Sequence, residues 1–202
     1  MHALLRTSLL AGVATALIAG CATPAAGPAS PAATRTVPPT AIALTNPGFE
    51  SEQRGPRGDP LGWFSFQHAG DLSYRYTIDT VEPRSGARSL RIDNIGPEPY
   101  GAVAQRIKVG PYVGKVARLT AWLRTKDAND NGAVLTLLVL AAGATLEQNF
   151  MLDRPVKGTT PWTRYTITIP MPKNADSVEV GAMMRGKGSL WFDDVELEFV
   201  DP

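Results

Sequence analysis

The chain has 202 residues, with 20 Lys and Arg against 19 Asp and Glu, two histidines and one cysteine. This balance lacks the basic footprint of a nucleic-acid binder, so no nucleic-acid partner is expected. A single cysteine excludes an intrachain disulfide framework, and so few His and Cys exclude zinc sites built on them.

The first residues, MHALLRTSLLAGVATALIAGC, place Arg6 ahead of an apolar run and the small residues Ala19 and Gly20 ahead of Cys21. That is the pattern of a secretory signal over residues 1–20, too short to be read first as a membrane span. Its end, Ile18-Ala19-Gly20-Cys21, resembles a bacterial lipobox, with Ile where Leu is commoner. The resemblance implies cleavage before Cys21 and acylation of that residue. Ala22 in the next position implies sorting to the outer membrane. Several acyl chains anchor stably where one binds only marginally, and this anchor is the one membrane contact expected. An ordinary signal followed by a chance cysteine is the alternative. Loss of Arg6 leaves 19 Lys and Arg against 19 Asp and Glu, a formally neutral mature chain. Residues 21–40 are rich in Ala, Pro, Ser and Thr and read as an extended tether. Residues 41–202 suffice for one domain with its own core.

Within that domain, Ala41–Thr45 reads as a short strand stopped by the turn Asn46-Pro47-Gly48. Phe49, Glu50 and a polar loop dense in Gly and Pro follow. Trp63–Gln67 and Ser73–Asp79 are aromatic and β-branched, as strands are. A turn at 83–86 leads to Ser89–Asp93, with Leu90 and Ile92 in phase, and then to Ala102–Val109. In Val116–Thr125, Leu119, Ala121 and Leu123 share one face, and Thr120, Trp122 and Arg124 the other. Asn131-Gly132 between two apolar runs predicts a hairpin that returns through Ala133–Ala141. Gln148–Leu152, Trp162–Pro170 and Ser177–Met184 add strands, and a Gly-Lys-Gly turn leads into Leu190–Val200. There the alternation changes phase, because Leu190 and Phe192 share one parity and Val195, Leu197 and Phe199 the other. A bulge or bend is therefore expected at Asp193-Asp194. Carboxylates among apolar neighbours need hydrogen bonds, charge partners or a metal. About ten short strands without a long amphipathic helix predict an all-β fold, an antiparallel β-sandwich of the jelly-roll kind.

Several segments now form a recognisable series: NPGFE at 46–50, Gly62-Trp63, SGARSLRI at 85–92, AVAQRIKV at 102–109, GKVARLTAWLRT at 114–125, Pro161-Trp162 with Tyr165, and WFDDVELE at 191–198. Together, over about residues 41–200, they resemble the galactose-binding-like β-sandwiches that include carbohydrate-binding modules of families 4, 9 and 22. Each segment alone is weakly specific. The resemblance implies a jelly roll with a structural calcium and, in many members, a glycan cleft. In similar modules the ion is held by the glutamate of the NxGFE-like turn, by carbonyls near the SGxxSL turn and by an aspartate of the last strand. The matching positions are Glu50, the backbone from Gly86 to Arg88, and Asp193, with Asp194 as the alternative carboxylate. Calcium suits such a set because it accepts several hard oxygens, carbonyls included, in tolerant geometry. The competing reading is that Glu50 and Asp193 accept backbone N–H groups or are solvated. DANDNG at 127–132 opens like an EF-hand loop, but Leu138 stands where the bidentate Glu is required, so it reads as a hairpin turn.

Exposed aromatic faces are candidate sugar platforms. Trp122 leads, since the other face of its strand is filled by core residues, with Arg124 beside it as a donor to hydroxyls. Tyr100 is expected to border the same cleft. Trp63, Trp162, Trp191, Tyr74 and Tyr76 are assigned to packing. No catalytic constellation emerges. His2 leaves with the signal, His68 stands alone, no G-x-S-x-G is present, and GPYVGK at 110–115 falls one residue short of a P-loop. The expectation is a membrane-anchored, non-catalytic module that binds carbohydrate. An envelope lipoprotein that contacts a protein partner without a sugar site is the alternative, and an unassigned hydrolase the third.

Overall fold

The computed structural model describes residues 40–55, 58–110, 112 and 114–202. The signal, Cys21 and all of the tether up to residue 39 lie outside them. Ten strands follow in chain order: β1 (Thr40–Ile42), β2 (Phe64–Gln67), β3 (Tyr74–Asp79), β4 (Ser89–Asn94), β5 (Tyr100–Lys108), β6 (Val116–Ala141), β7 (Ala144–Asn149), β8 (Val156–Pro170), β9 (Ser177–Arg185) and β10 (Ser189–Val200). Every pairing is antiparallel. The all-β sandwich is therefore observed.

One strand belongs to both layers. The first part of β6, Val116 to Leu123, lies between β10 and β8, whereas its last part, Ala133 to Leu140, lies beside β9 and β7. One sheet thus runs β3-β4-β10-β6-β8 with β1 beside β10, and the other runs β2-β5-β9-β6-β7. The hairpin expected at Asn131-Gly132 is not formed. Instead Asp127 (φ 53°) and Gly132 (φ 63°) take left-handed backbone, and the β6–β8 register shifts repeatedly between Leu123 and Ala133. Such irregularities bend a strand without reversing it, so the chain turns a corner from one layer to the other. A Cβ on Gly132 would stand 2.6 Å from the Val156 carbonyl oxygen, so close packing as well as φ reserves this corner for glycine.

The inward phases are those the sequence patterns mark. Leu119, Ala121 and Leu123 of one sheet meet Leu135, Leu137, Val178 and Val180 of the other in one buried cluster. The turn that follows β1 is fastened to this cluster by an aromatic plug. Phe49 is fully buried with φ 57°, and its ring lies 5.1 Å from Trp63 and 5.6 Å from Phe192 between centroids. The Trp63 indole N–H donates to the Asn46 carbonyl at 3.1 Å. Buried Gln105 replaces a missing strand neighbour, accepting the Thr45 N–H and donating to the Thr45 carbonyl, each at 2.8 Å. A left-handed phenylalanine persists only where its surroundings over-determine it, and burial of a full ring supplies that. Phe49→Ala is expected to lower stability by about 3–5 kcal/mol in urea unfolding. A loss below ~1 kcal/mol would show that the plug does not hold this turn.

Candidate functional site

The phase change in β10 is a β-bulge. Its register against β6 shifts between Asp193 and Glu196, and Asp194 has φ 49°. The bulge allows Leu190 and Phe192 before it, and Val195, Leu197 and Phe199 after it, all to be buried. It also places the Asp193 carboxylate fully inside. There Oδ2 accepts the N–H of Arg84 at 3.0 Å and of Ser85 at 3.5 Å, and Oδ1 accepts the N–H of Asp194 at 2.8 Å. The Ser85 hydroxyl donates to Asp194 Oδ1 at 2.6 Å, and the Val195 N–H donates to the Pro47 carbonyl at 3.1 Å. Glu50 Oε1 accepts the N–H groups of Ala87 at 3.0 Å and Arg88 at 3.1 Å. Three distant segments, 46–50, 84–88 and 193–195, therefore meet at one junction.

Glu50, Gly86, Arg88 and Asp193, the positions matched to calcium, are thus brought together. What faces the carboxylates is N–H. A trans peptide points its N–H and C=O in opposite directions, so the Ala87 N–H aimed at Glu50 turns the Gly86 carbonyl away. The Arg88 N–H does the same to the Ala87 carbonyl. Among the described residues, no three of His, Cys, Asp and Glu are grouped closely enough to hold an ion. Calcium requires converging oxygens, and this donor set does not fit it.

A groove of about 390 Å³ lies on the outer face of the second sheet. The register sets Phe64, Ala104, Gly181 and Thr136 in one row across the four strands, and Phe66, Ala102 and Met183 in the next. Paired residues share a face, so the small side chains form a low floor beneath larger walls. Phe66 and Tyr100 stand on one side, and Leu138, Phe150 and Leu152 on the other. Phe66 and Leu152 are exposed, at 38% and 56%. Polar groups enter from β6 and β9: Thr136, Glu179 and Arg185. Arg106 donates to Glu179 at 2.6 Å and fixes its carboxylate. The Tyr76 hydroxyl donates to the Phe66 carbonyl at 2.6 Å and pins β2. Burial holds that phenol well above its ordinary range, so it keeps its proton. Tyr100 packs edge-on against His68, whose Nδ1 lies 2.9 Å from Glu98.

The other candidate positions fall elsewhere. Trp122 is half-buried on the first sheet, with the Arg84 guanidinium 4.0 Å from its ring centroid. It borders a shallow recess of about 370 Å³ with Gly48, Asp194 and Glu196. Arg124 lies 4.8 Å from the Trp191 ring and pairs with Glu82. Tyr100 does not share a cleft with them, because β5 belongs to the opposite layer. Sequence reasoning missed Phe66, Phe150, Leu152 and Glu179. The pair Phe64 and Phe66, two residues apart and therefore on one face, was the available signal for this wall. Nothing local marks Leu152 or Phe150, which the chain brings over after β7.

No protein-family model matches the chain. A stretch of 114 residues, 56% of the chain, is 31% identical to the uncharacterized HTH-type transcriptional regulator YbfP of Bacillus subtilis, and it spans 38% of that protein. A CBM4 carbohydrate-binding module is 17% identical over 78% of this chain and 99% of its own, with a TM-score of 0.53. A CBM61 module in complex with β-1,4-galactotriose is 15% identical over 77% and 97%, with a TM-score of 0.51. A cyclase from Fischerella sp. TAU is 14% identical over 80% and 98%, with a TM-score of 0.56. These similarities establish a fold of the kind found in carbohydrate-binding modules, shared with an enzyme.

Burial pushes the Asp193 carboxyl from its ordinary 3.8 up to about 7, with the Asp194 N–H pulling against it and the Asp194 charge adding to it. Between those values the folded chain keeps a proton that the unfolded chain has lost. The stabilising contribution of this group is fullest below about pH 4 and is lost as pH rises to about 7. Urea midpoints measured from about pH 4.5 to about 7.5 are expected to fall for the native chain and to fall less steeply for Asp193→Asn. Equal slopes would assign the effect to another group.

Proposed function

We propose that the chain is a carbohydrate-binding module whose ligand lies in the Phe66–Tyr100 groove, held at the cell envelope by acylated Cys21. The observation that carries this reading is the groove itself. It combines aromatic faces, polar side chains and a hydrogen-bonded four-strand base. Sugar rings present C–H faces to aromatic walls and hydroxyls to polar groups, and sites of this size bury most of a small ligand. Thr136, Glu179 and Arg185 supply acceptors and donors of the required kinds. The structural neighbours that are carbohydrate-binding modules, one of them bound to a galactotriose, support the class of ligand.

Recognition accounts for the groove better than hydrolysis does. Glu179 is the one carboxylate among the described residues that line it, and Arg106 already holds that group. Glycoside cleavage generally needs two carboxylates flanking the bond. A concave, walled site also favours a small or chain-like ligand over the alternative of a protein partner, which a flat apolar patch would favour. The lipobox-like segment ending in Cys21 supports an outer-membrane anchor, with the Pro-rich tether extending the module away from the lipid.

Affinity gels with a panel of neutral and acidic polysaccharides test the ligand class. Phe66→Ala and Tyr100→Ala are each expected to weaken binding by about tenfold or more, equivalent to ~1.4 kcal/mol, with Trp122→Ala unchanged. Loss in Trp122→Ala with Phe66→Ala silent would move the site to the first sheet. No retention by any glycan, together with a specific co-purifying protein, would favour the protein-binding reading. In bacterial expression, a palmitate analogue is expected to label the native chain and not Cys21→Ser. Label persisting in the variant would sink the anchor.

A further inference from the structure

We infer that two arginines and a set of backbone amides, in place of a calcium ion, close the junction between the first turn and the last strand. An ion at this position would have two tasks. It would tie the 46–50 turn, the 84–88 turn and the β10 bulge together, and it would offset the charge of Glu50, Asp193 and Asp194.

Both tasks are performed by groups of the chain. The tie is made by N–H groups of Ala87 and Arg88 on Glu50, N–H groups of Arg84 and Ser85 on Asp193, and the Ser85 hydroxyl on Asp194. The Val195 N–H on the Pro47 carbonyl joins the bulge directly to the first turn. The charge of Glu50 and Asp194 is offset by side chains, and that of Asp193 by burial with its proton and by backbone N–H groups. Arg88 Nη1 donates to the Glu50 carbonyl at 3.1 Å and lies 3.9 Å from its Oε2, while Nη2 pairs with Glu52. Arg84 Nη1 stands 3.7 Å from Asp194 Oδ2. Seating an ion between Glu50 and the Gly86 carbonyl would require that peptide to flip. Gly86 is held at φ 59°, and even a Cβ there would meet Glu50 Oε1 at 2.2 Å.

Arg84 has a second contact that belongs to the same device. Its guanidinium covers the Trp122 ring at 4.0 Å while its own backbone N–H donates to Asp193. A guanidinium over an aromatic face is an attractive cation–π arrangement. The turn that replaces the ion therefore also caps the aromatic that would otherwise face solvent.

The test uses the purified soluble domain together with the full chain in detergent. Elemental analysis is expected to find no stoichiometric calcium. The melting temperature is expected to stay within about 1 °C between excess EDTA and millimolar calcium. Arg84→Gln with Arg88→Gln is expected to lower the melting temperature by several degrees. In that variant added calcium is expected to recover part of the loss, because Glu50 and Asp194 then lack their guanidinium partners. Bound calcium in the native protein, or a fall of several degrees in EDTA, overturns the inference. So does a double variant as stable as the native chain. If the double variant fails to fold, the two native measurements still decide the question.

Discussion

A carboxylate with no contact with water sits in the last strand of this sandwich, and its surroundings are arranged to hold it. Burying Asp193 unpaired would cost several kcal/mol. Three backbone N–H groups from two segments supply its partners, and in doing so they fix where the 84–88 turn must lie. The turn positions Glu50 through the N–H groups of Ala87 and Arg88, and Glu50 belongs to the loop that Phe49 plugs into the core. Terminal elements of the domain are thereby fastened to each other at a point where a β-bulge has already interrupted the ladder. The bulge, the buried acid and the plug form one constraint seen from three sides.

The two layers divide their work accordingly. The first sheet carries the junction and an outer surface laced with ion pairs, such as Arg118 with Glu198 and Arg164 with Glu196. Two of its tryptophans are capped by guanidinium groups, Arg84 on Trp122 and both Arg91 and Arg124 on Trp191. The second sheet has small residues along the middle of its outer face and aromatic side chains at the border. The second arrangement leaves a groove walled by aromatic and apolar side chains, whereas the recess beside Trp122 is bordered by Arg84, Asp194 and Glu196.

Much of this was legible in the sequence because strand patterns repeat every two residues. The phase change at Asp193-Asp194 announced the bulge, and Leu119, Ala121 and Leu123 announced the inward face of β6. Pairing between sheets was not legible. Asn131-Gly132 has the composition of a hairpin turn, yet the partners waiting on either side, β8 and β9, draw the chain around a corner instead. Trp122 had the right parity for a platform, but parity says nothing of what a loop 38 residues earlier will lay over it. Tyr100 was expected beside Trp122 and instead lines the groove of the other sheet, for the same reason. Alternation gives a side chain's face within its own strand, while the company it keeps depends on long-range register.

The shared strand gives the sandwich a property that neither sheet has alone. A sandwich whose layers touch only through side chains can loosen by sliding or parting, with each layer keeping its own ladder. Here β6 carries hydrogen bonds of both ladders within one continuous backbone. Opening either layer strips one half of that strand and strains the other, so local opening on one side is tied to the free energy of the whole. The groove on one layer and the closure of the terminal elements on the other are therefore linked through the backbone of β6, although they lie on different sheets. A sandwich built in this way meets mechanical or chemical stress as a single cooperative body.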